Sequence, residues 1–404
     1  MPTSIQELIA TQAVICHFQP VVSVKKRAVV GLEALARGQD GPVRLWSPDQ
    51  LFSLAEESSV TDALDDLCVR SALKAFAAVP NRADLALFLN LDASRLARGP
   101  YPAGAVRKAT EDAGLRPQDV VLEFSDLDAA EAPGLRTLVE TCQSFGFAVA
   151  LDDLDGSPEC LRRVAQLRPN VVKADTHLLR GIANEAVQQT LLQSIATLAR
   201  RMGALTVAEG VENEDDANMA TDLGADLLQG FHYGRPLAHD RGAMTLSQAA
   251  VERSAQRLKA AVAGRTQVRQ RENERHLQLL ERLRQALALA EPGRLAATLE
   301  QFVNAVASLE CLYVLDGRGL QQTPTIVWRH QQDRQRSRLF VPAVAGADHS
   351  LKDYYLALTL GSADPHVSDP YVSLATGNLC RTLTTRFTDA AGDQHILCMD
   401  TRSN

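Results

Sequence analysis

Long apolar runs are missing from this 404-residue chain. No stretch approaches the roughly 20 apolar residues that a helix needs to cross a bilayer, so no membrane span is predicted. The first residues, MPTSIQELIA, lack a basic segment followed by an apolar one, so no signal peptide is expected and the default location is the cytoplasm. Excess positive charge is also missing: 42 Lys and Arg stand against 49 Asp and Glu, a net charge of -7. That balance argues against a general affinity for duplex nucleic acid or anionic membranes, both of which require a basic face. The seven cysteines are scattered, with no CxxC pair, and read as reduced, mostly buried thiols rather than metal ligands or disulfides. There is no GxSxG elbow, no glycine fingerprint of a Rossmann or P-loop site, and no cluster of histidines.

Apolar residues are nonetheless plentiful, at 46%, and the length suits two or three domains. Over the first 240 residues one theme recurs. The short runs AVVGLEAL, LALFLNLD, VVLEFSD, FAVALDD, NVVKAD, LTVAEGVE and ADLLQG each end in acidic or amide residues and are followed by helical patterns. Nearly continuous apolar strands are buried on both faces, as in parallel sheets. Helices are predicted after Ser47-Pro48-Asp49, over 131–145, and over 183–202 with Val187, Leu191, Ile195 and Leu198 inward. The fold class is therefore α/β with a parallel sheet, and a (β/α)8 barrel is the natural size match. PVVSV and AVVGLEAL, either side of Lys25-Lys26-Arg27, read as a hairpin, which makes one strand antiparallel. Residues 246–291, rich in Ala, Arg, Gln, Glu and Leu, read as a connecting helix with a seam of Leu280, Leu283, Leu287 and Ala290, and Gly264 is a candidate break. Residues 292–404 read as a small α+β domain: a helix over 294–309, then the strands CLYVLD, TIVWRH, RLFVPAV, LCRTLTTRF and HILCMD. The expected domains are thus 1–245, 246–291 and 292–404.

Glu33, Asn90, Glu123, Asp152, Asp153, Lys173, Glu209 and Gln229 fall at or near the carboxyl ends of seven predicted strands. In a barrel those ends share one face, where active sites form. One such carboxylate is usually a helix cap; the repetition is not explained that way. Oxygen ligands without clustered His or Cys select hard cations such as Mg²⁺ or Mn²⁺. The adjacent pair Asp152-Asp153 repels itself unless cations lie between, and one carboxylate can bridge two ions. Two such ions suit hydrolysis of a phosphodiester, and Lys173 can orient water or neutralise developing charge.

Phe18-Gln19-Pro20, Glu33-Ala34-Leu35-Ala36-Arg37, Asn90, Glu123, Asp152-Asp153, Lys173-Ala174-Asp175, Glu209-Gly210-Val211-Glu212 and Gln229-Gly230 follow one another in an order that resembles EAL domains, across about residues 5–240. The resemblance implies a modified TIM barrel that hydrolyses cyclic-di-GMP to linear pGpG with two Mg²⁺ or Mn²⁺ ions. It implies Glu33, Asn90, Glu123 and Asp152 as ligands of one ion, and Asp152, Asp153 and Glu209 as ligands of the other. Lys173 matches the lysine that contacts the catalytic water, and Glu212 and Gln229 match residues around that water and the ions. Gln19, Leu35 and Arg37 match the substrate-binding side, with Asp175 behind them. A homodimer is also expected. One segment departs from the family: Leu154-Asp155-Gly156-Ser157-Pro158-Glu159-Cys160 stands where Phe-Gly-Thr-Gly-Tyr-Ser-Ser is usual, and Asp126 stands where a glutamate is usual. A catalytically weak or inactive cyclic-di-GMP receptor is the alternative reading. Farther on, Asp353-Tyr354-Tyr355 and the run from Val367 to Ser373 resemble Cache or PAS-like sensory domains, which implies an unknown small ligand there.

Overall fold

The computed structural model describes residues 4–40, 44–97, 102–125, 133–238, 243–291, 293–304, 307–327, 339–361 and 363–403. The chain divides into two compact units, 1–262 and 263–404.

In the first unit the strands are β1 (Val14–Ser23), β2 (Ala28–Asp40), β3 (Arg44–Trp46), β4 (Ala86–Asp92), β5 (Val120–Ser125), β6 (Ala148–Leu154), β7 (Val171–Ala174), β8 (Leu205–Ala208) and β9 (Leu227–Gln229). The helices are α1 (Ile5–Ala10), α2 (Pro48–Glu57), α3 (Thr61–Ala77), α4 (Ala103–Asp112), α5 (Pro133–Ser144), α6 (Pro158–Leu167), α7 (Thr176–Leu179), α8 (Ala186–Arg201) and α9 (Glu214–Asp222), and α10 (Ala243–Ala288) leads out of the unit. The strands pair in the order β1-β9-β8-β7-β6-β5-β4-β2, and β1 also pairs β2, so eight strands close into a barrel with β3 appended to β2. The hairpin expected around Lys25-Lys26-Arg27 is present. β1 runs antiparallel to both β2 and β9, while the other neighbours around the ring are parallel. Arg27 takes the left-handed conformation that closes the turn, with φ of 55°.

The near-continuous apolar strands are explained by two cores. Leu87, Leu89, Leu122, Val149, Val172 and Ala208 face outward into a large cluster with the surrounding helices. Val21, Phe88, Val121, Ala150, Val171, Val207 and Leu227 face inward and fill the barrel. Gly31 belongs to that packing, because a Cβ there would stand 2.5 Å from the Phe88 ring. One detail of the expected helix pattern fails: Val187 is 72% exposed, while Ile195 is buried, because α8 begins only at Ala186 and Val187 sits in its solvent-facing first turn.

The second unit holds α11 (Leu295–Phe302), β10 (Leu309–Asp316), β11 (Ile326–Val327), α12 (Asp353–Leu360), β12 (His366–Val367), β13 (Tyr371–Val372), β14 (Leu379–Thr388) and β15 (Gln394–Arg402). These strands form an antiparallel sheet in the order β11-β10-β15-β14-β12, with β13 also on β14. One face packs Leu312, Val314, Leu383, Leu397 and Met399 against Leu280, Leu283, Leu287 and Leu299. The expected strand RLFVPAV does not form in its described part: 339–344 has no ladder, and Pro342 there carries no N–H to donate. α11 stops at Phe302, short of the predicted 309. α10 continues unbroken through Gly264, with good helix formers on both sides. Among the described residues no helix is long and apolar enough to cross a membrane.

Candidate metal and nucleotide site

Strand side chains alternate with period two, so the residue two places beyond an inward core position also faces inward. From the inner core residues Phe88, Val121, Ala150, Val171, Val207 and Leu227, this step leads to Asn90, Glu123, Asp152, Lys173, Glu209 and Gln229. From Gly31 it leads to Glu33. On the reversed β1 it runs backward, from Val21 to Gln19, and Gln19 lies opposite Glu33 in the ladder. Eight polar side chains thus form one layer above an apolar plug, at the carboxyl ends of the parallel strands.

Lys173 is its centre. Its Nζ lies 2.6 Å from Glu209 Oε1, 2.8 Å from Glu123 Oε1, 3.1 Å from Asp152 Oδ2 and 3.7 Å from Glu33 Oε2. Asn90 Nδ2 donates to Glu33 Oε1 at 2.9 Å, which leaves the Asn90 amide oxygen free to face a cation. Gln229 Nε2 donates to Glu33 Oε2 and, at 3.2 Å, to Gln19 Oε1. Gln19 in turn donates to the Gly234 carbonyl at 3.3 Å.

The electrostatics follow from four carboxylates and one ammonium removed from water. Burial opposes the charge on Lys173, but the surrounding carboxylates outweigh it and hold the ammonium's pKa well above its usual value. Burial also pushes up Glu123, helped by its acidic neighbours, to well above the ordinary carboxylate range. Glu209 rises to about 8, from burial first and the Asp152 and Glu33 charges next, against the pull of Lys173. Glu33 goes the other way: burial is overcome by Lys173 and by the amides of Gln229 and Asn90.

Asp153 completes the cluster. The β6–β7 register slips between Leu151 and Leu154, and Asp153 sits at φ of 55°, in the left-handed region. Asp tolerates that region better than most residues. Carboxylate oxygens of Asp152, Asp153 and Glu209 lie within 4.8 Å of one another. Glu123 Oε1 is held by Lys173, while Oε2 of this fully buried carboxylate has no hydrogen-bond partner among the described residues. Clustered oxygens and a buried carboxylate oxygen without a partner fit a hard divalent cation.

A cleft of about 700 Å³ opens over Glu33, Asn90, Asp152 and Asp153 and extends between α2 and α3. Leu35 lines it. Arg37, two residues farther on, is half-buried and donates to the Ala36 carbonyl at 2.8 Å. Asp175 caps α7, accepting from the His177 N–H at 3.1 Å, and Glu212 is exposed just after Glu209; among the described residues no side-chain hydrogen bond or ion pair joins either to the layer. The altered segment after Asp153 is well ordered chemically: Ser157 caps α6 by accepting from the Cys160 N–H at 3.2 Å, with Pro158 in the first turn, and Asp155 accepts from the Ser157 N–H at 2.9 Å. Asp126 lies outside the described residues. The cleft wall made by Asp49, Phe52, Ser53, Glu56, Asp65, Cys68 and Ser71 escaped the sequence reading; its one signal was the spacing of Asp49, Phe52, Ser53 and Glu56 along one face of α2.

The sequence profile of the EAL domain matches residues 3–236, more than half of the chain. The chain belongs to the EAL domain family. Among curated EAL-type relatives, it is 26% identical over 239 residues to the bifunctional diguanylate cyclase/cyclic di-GMP phosphodiesterase MucR of Pseudomonas aeruginosa, covering 58% of this chain and 34% of MucR. The chain spans 28–43% of the length of MucR and the next two such relatives. In fold, it matches the Bacillus subtilis YkuI protein, solved with an EAL domain in complex with cyclic-di-GMP and calcium, with a TM-score of 0.76, 20% identity and 100% of both chains covered. Klebsiella pneumoniae BlrP1, solved as a manganese and cyclic-di-GMP complex, matches with a TM-score of 0.51 and 25% identity over 56% of this EAL chain and 57% of BlrP1.

Proposed function

We propose that the barrel hydrolyses cyclic-di-GMP to linear pGpG, adding one water across one of the two phosphodiester bonds. The observation that carries this reading is the inward layer, with the unpartnered Oε2 of buried Glu123 and the Asp152–Asp153–Glu209 cluster. Glu33, Asn90, Glu123 and Asp152 would hold one Mg²⁺ or Mn²⁺ ion, and Asp152, Asp153 and Glu209 the other. Bound there, two such ions supply Lewis acidity for activating water and for neutralising charge in an in-line displacement. The chain's residues do the rest. Lys173, kept protonated by its carboxylate neighbours, donates to the attacking water and orients it rather than removing its proton. Gln229 holds Glu33 in place through its amide, and Gln19 accepts from that same amide. Arg37 and Leu35 line the substrate side, with Arg37 suited to a phosphate oxygen. Glu212 and Asp175 act from outside the layer, Asp175 by fixing the start of α7.

The relatives support the substrate by their names and complexes: MucR carries a phosphodiesterase name, and YkuI and BlrP1 were captured with the dinucleotide and divalent cations. The second unit is proposed as a PAS/Cache-like sensory domain for a small ligand, and the working form as a homodimer. The test is chromatographic: purified chain with Mg²⁺ or Mn²⁺ is expected to convert cyclic-di-GMP to pGpG, and Glu33→Ala to form no detectable product. Tight binding without product in either metal assigns the chain to the receptors instead.

A further inference from the structure

The second unit has a cavity of its own, of about 390 Å³, at the end of the sheet where β14 finishes and β15 begins. Arg284 of α10, Arg386 of β14 and His395 of β15 line it. Each pairs with a carboxylate: Arg284 with Glu281 at 2.6 Å, Arg386 with Asp364 at 3.7 Å and His395 with Asp389 at 3.1 Å. None of those three carboxylates lines the cavity, whereas all three basic groups do. The pairings also leave donors over. Glu281 takes Nε and Nη2 of Arg284, and the Leu358 carbonyl takes Nη2 of Arg386, so neither Nη1 donates a hydrogen bond among the described residues. Asp364 acts on both guanidiniums, which places them in one neighbourhood. His395 meets Asp389 through Nε2, while its buried Nδ1 has no partner. Phe387 stacks on that imidazole with ring centroids 5.2 Å apart, which fixes it as a wall. A buried polar atom is normally satisfied, and neighbouring cations repel unless an anion lies among them. The space between the sheet and α12, by contrast, is filled by Tyr313, Tyr354 and Tyr371.

We propose that this cavity binds a small oxyanion, a carboxylate or a phosphate, gripped by the Nη1 groups of Arg284 and Arg386 with His395 Nδ1 as the third contact; this deepens, and rests on, the small-ligand reading of the second unit. A guanidinium stays charged at any working pH, and its planar fork matches the oxygens of either anion. A carboxylate that pairs with the arginine from outside the cavity fixes the fork and leaves its remaining N–H groups to the ligand. Nδ1 can accept from a hydroxyl on the ligand or, once the ring holds a second proton, donate to its anion. The volume lies near the lower end of the range for ligand cavities, about 300–1,000 Å³, and suits a molecule of metabolite size.

The test is calorimetric titration of the metal-free full chain with succinate and with inorganic phosphate, at constant ionic strength. At least one of them is expected to bind at a single site per chain, and the tighter of the two identifies the source of the anion. Arg284→Gln is expected to weaken that binding by about 10- to 100-fold. Among the described residues Arg284 pairs only within its own helix, so the fold tolerates the change. Arg386→Gln is expected to weaken binding by a similar factor, with a thermal melt to show that the second unit stays folded without the bond to Leu358. Arg318→Gln, exposed and off the cavity, is expected to change nothing, which separates a site from general attraction of anions. Absence of binding by both anions overturns the site. So does binding that survives Arg284→Gln unchanged or falls equally in Arg318→Gln. The sensory reading fails separately: binding that is lost in Arg284→Gln, with no effect of the saturating anion on binding or hydrolysis of cyclic-di-GMP, keeps the site and removes its regulatory use.

Discussion

Each residue of the inward layer is placed by an inward-facing residue two positions away along its strand, and that makes single substitutions informative. Lys173 is the one cation among four carboxylates, so removing it leaves their charge uncompensated away from water. Lys173→Met is expected to destabilise the metal-free barrel by about 3–5 kcal/mol. Thermal melts in chelator check this, and added Mg²⁺ is expected to restore part of the loss. Asp153 separates geometry from charge. Asn accepts the left-handed backbone and Ala does not, so Asp153→Asn is expected to keep the melting temperature while abolishing hydrolysis. Asp153→Ala is expected to lose hydrolysis and about 1 kcal/mol of stability as well. In the second unit Asp400 is buried among donors: Thr382 at 2.8 Å, Cys311 at 3.2 Å, Tyr371 at 3.4 Å and Tyr313 at 3.5 Å. Burial raises it to about 6, despite those bonds. A carboxyl raised in the fold and ordinary, near 3.9, in the unfolded chain stabilises most below pH 4 and loses that contribution as pH rises through 6. The loss is on the order of 3 kcal/mol. Urea unfolding at pH 4.5 and 7.5 checks it, and Asp400→Asn is expected to flatten the difference.

At the scale of elements, the barrel strands were legible because their inner and outer faces are both apolar, and the layer was legible because its polar residues interrupt those runs at the same place. The cleft wall was not, because a helix face of Asp, Phe, Ser and Glu reads the same whether it meets solvent or a ligand. Asp175 and Glu212 show the reverse limit: a carboxylate after a strand can cap a helix or stay exposed, and only the folded backbone distinguishes these from a place in the layer. Strand pairing also sets a demand that sequence alone conceals. Phe88 on β4 fills the space that Gly31 leaves on β2, and Glu33 follows two residues after Gly31. Gly31→Ala is therefore expected to force the ring aside, costing about 1–3 kcal/mol in urea unfolding and shifting Glu33 enough to depress hydrolysis.

For the whole molecule, the decisive stretch is the middle of α10. Every residue from 259 to 275 is exposed, and the boundary between the units, 262/263, falls inside it. A helix segment with no buried face is held by its own propensity and by the turns that continue it at either end, since isolated helices of this length are marginal in water. The two units have separate hydrophobic cores, so they have no need to unfold together. The full chain is accordingly expected to melt in two transitions. The transition of the barrel should move up with Mg²⁺ or Mn²⁺, because those ions bind the folded layer and not the unfolded chain. The transition of the second unit should ignore the ions and move down between pH 4 and 6, through Asp400. Calorimetric scans over metal and pH, repeated on residues 1–262 alone, check each assignment: the truncated chain should retain the metal-dependent transition and lose the pH-dependent one. A single transition responding to both variables would mean that the exposed helix couples the units, and the barrel could then not be treated as a folding unit of its own.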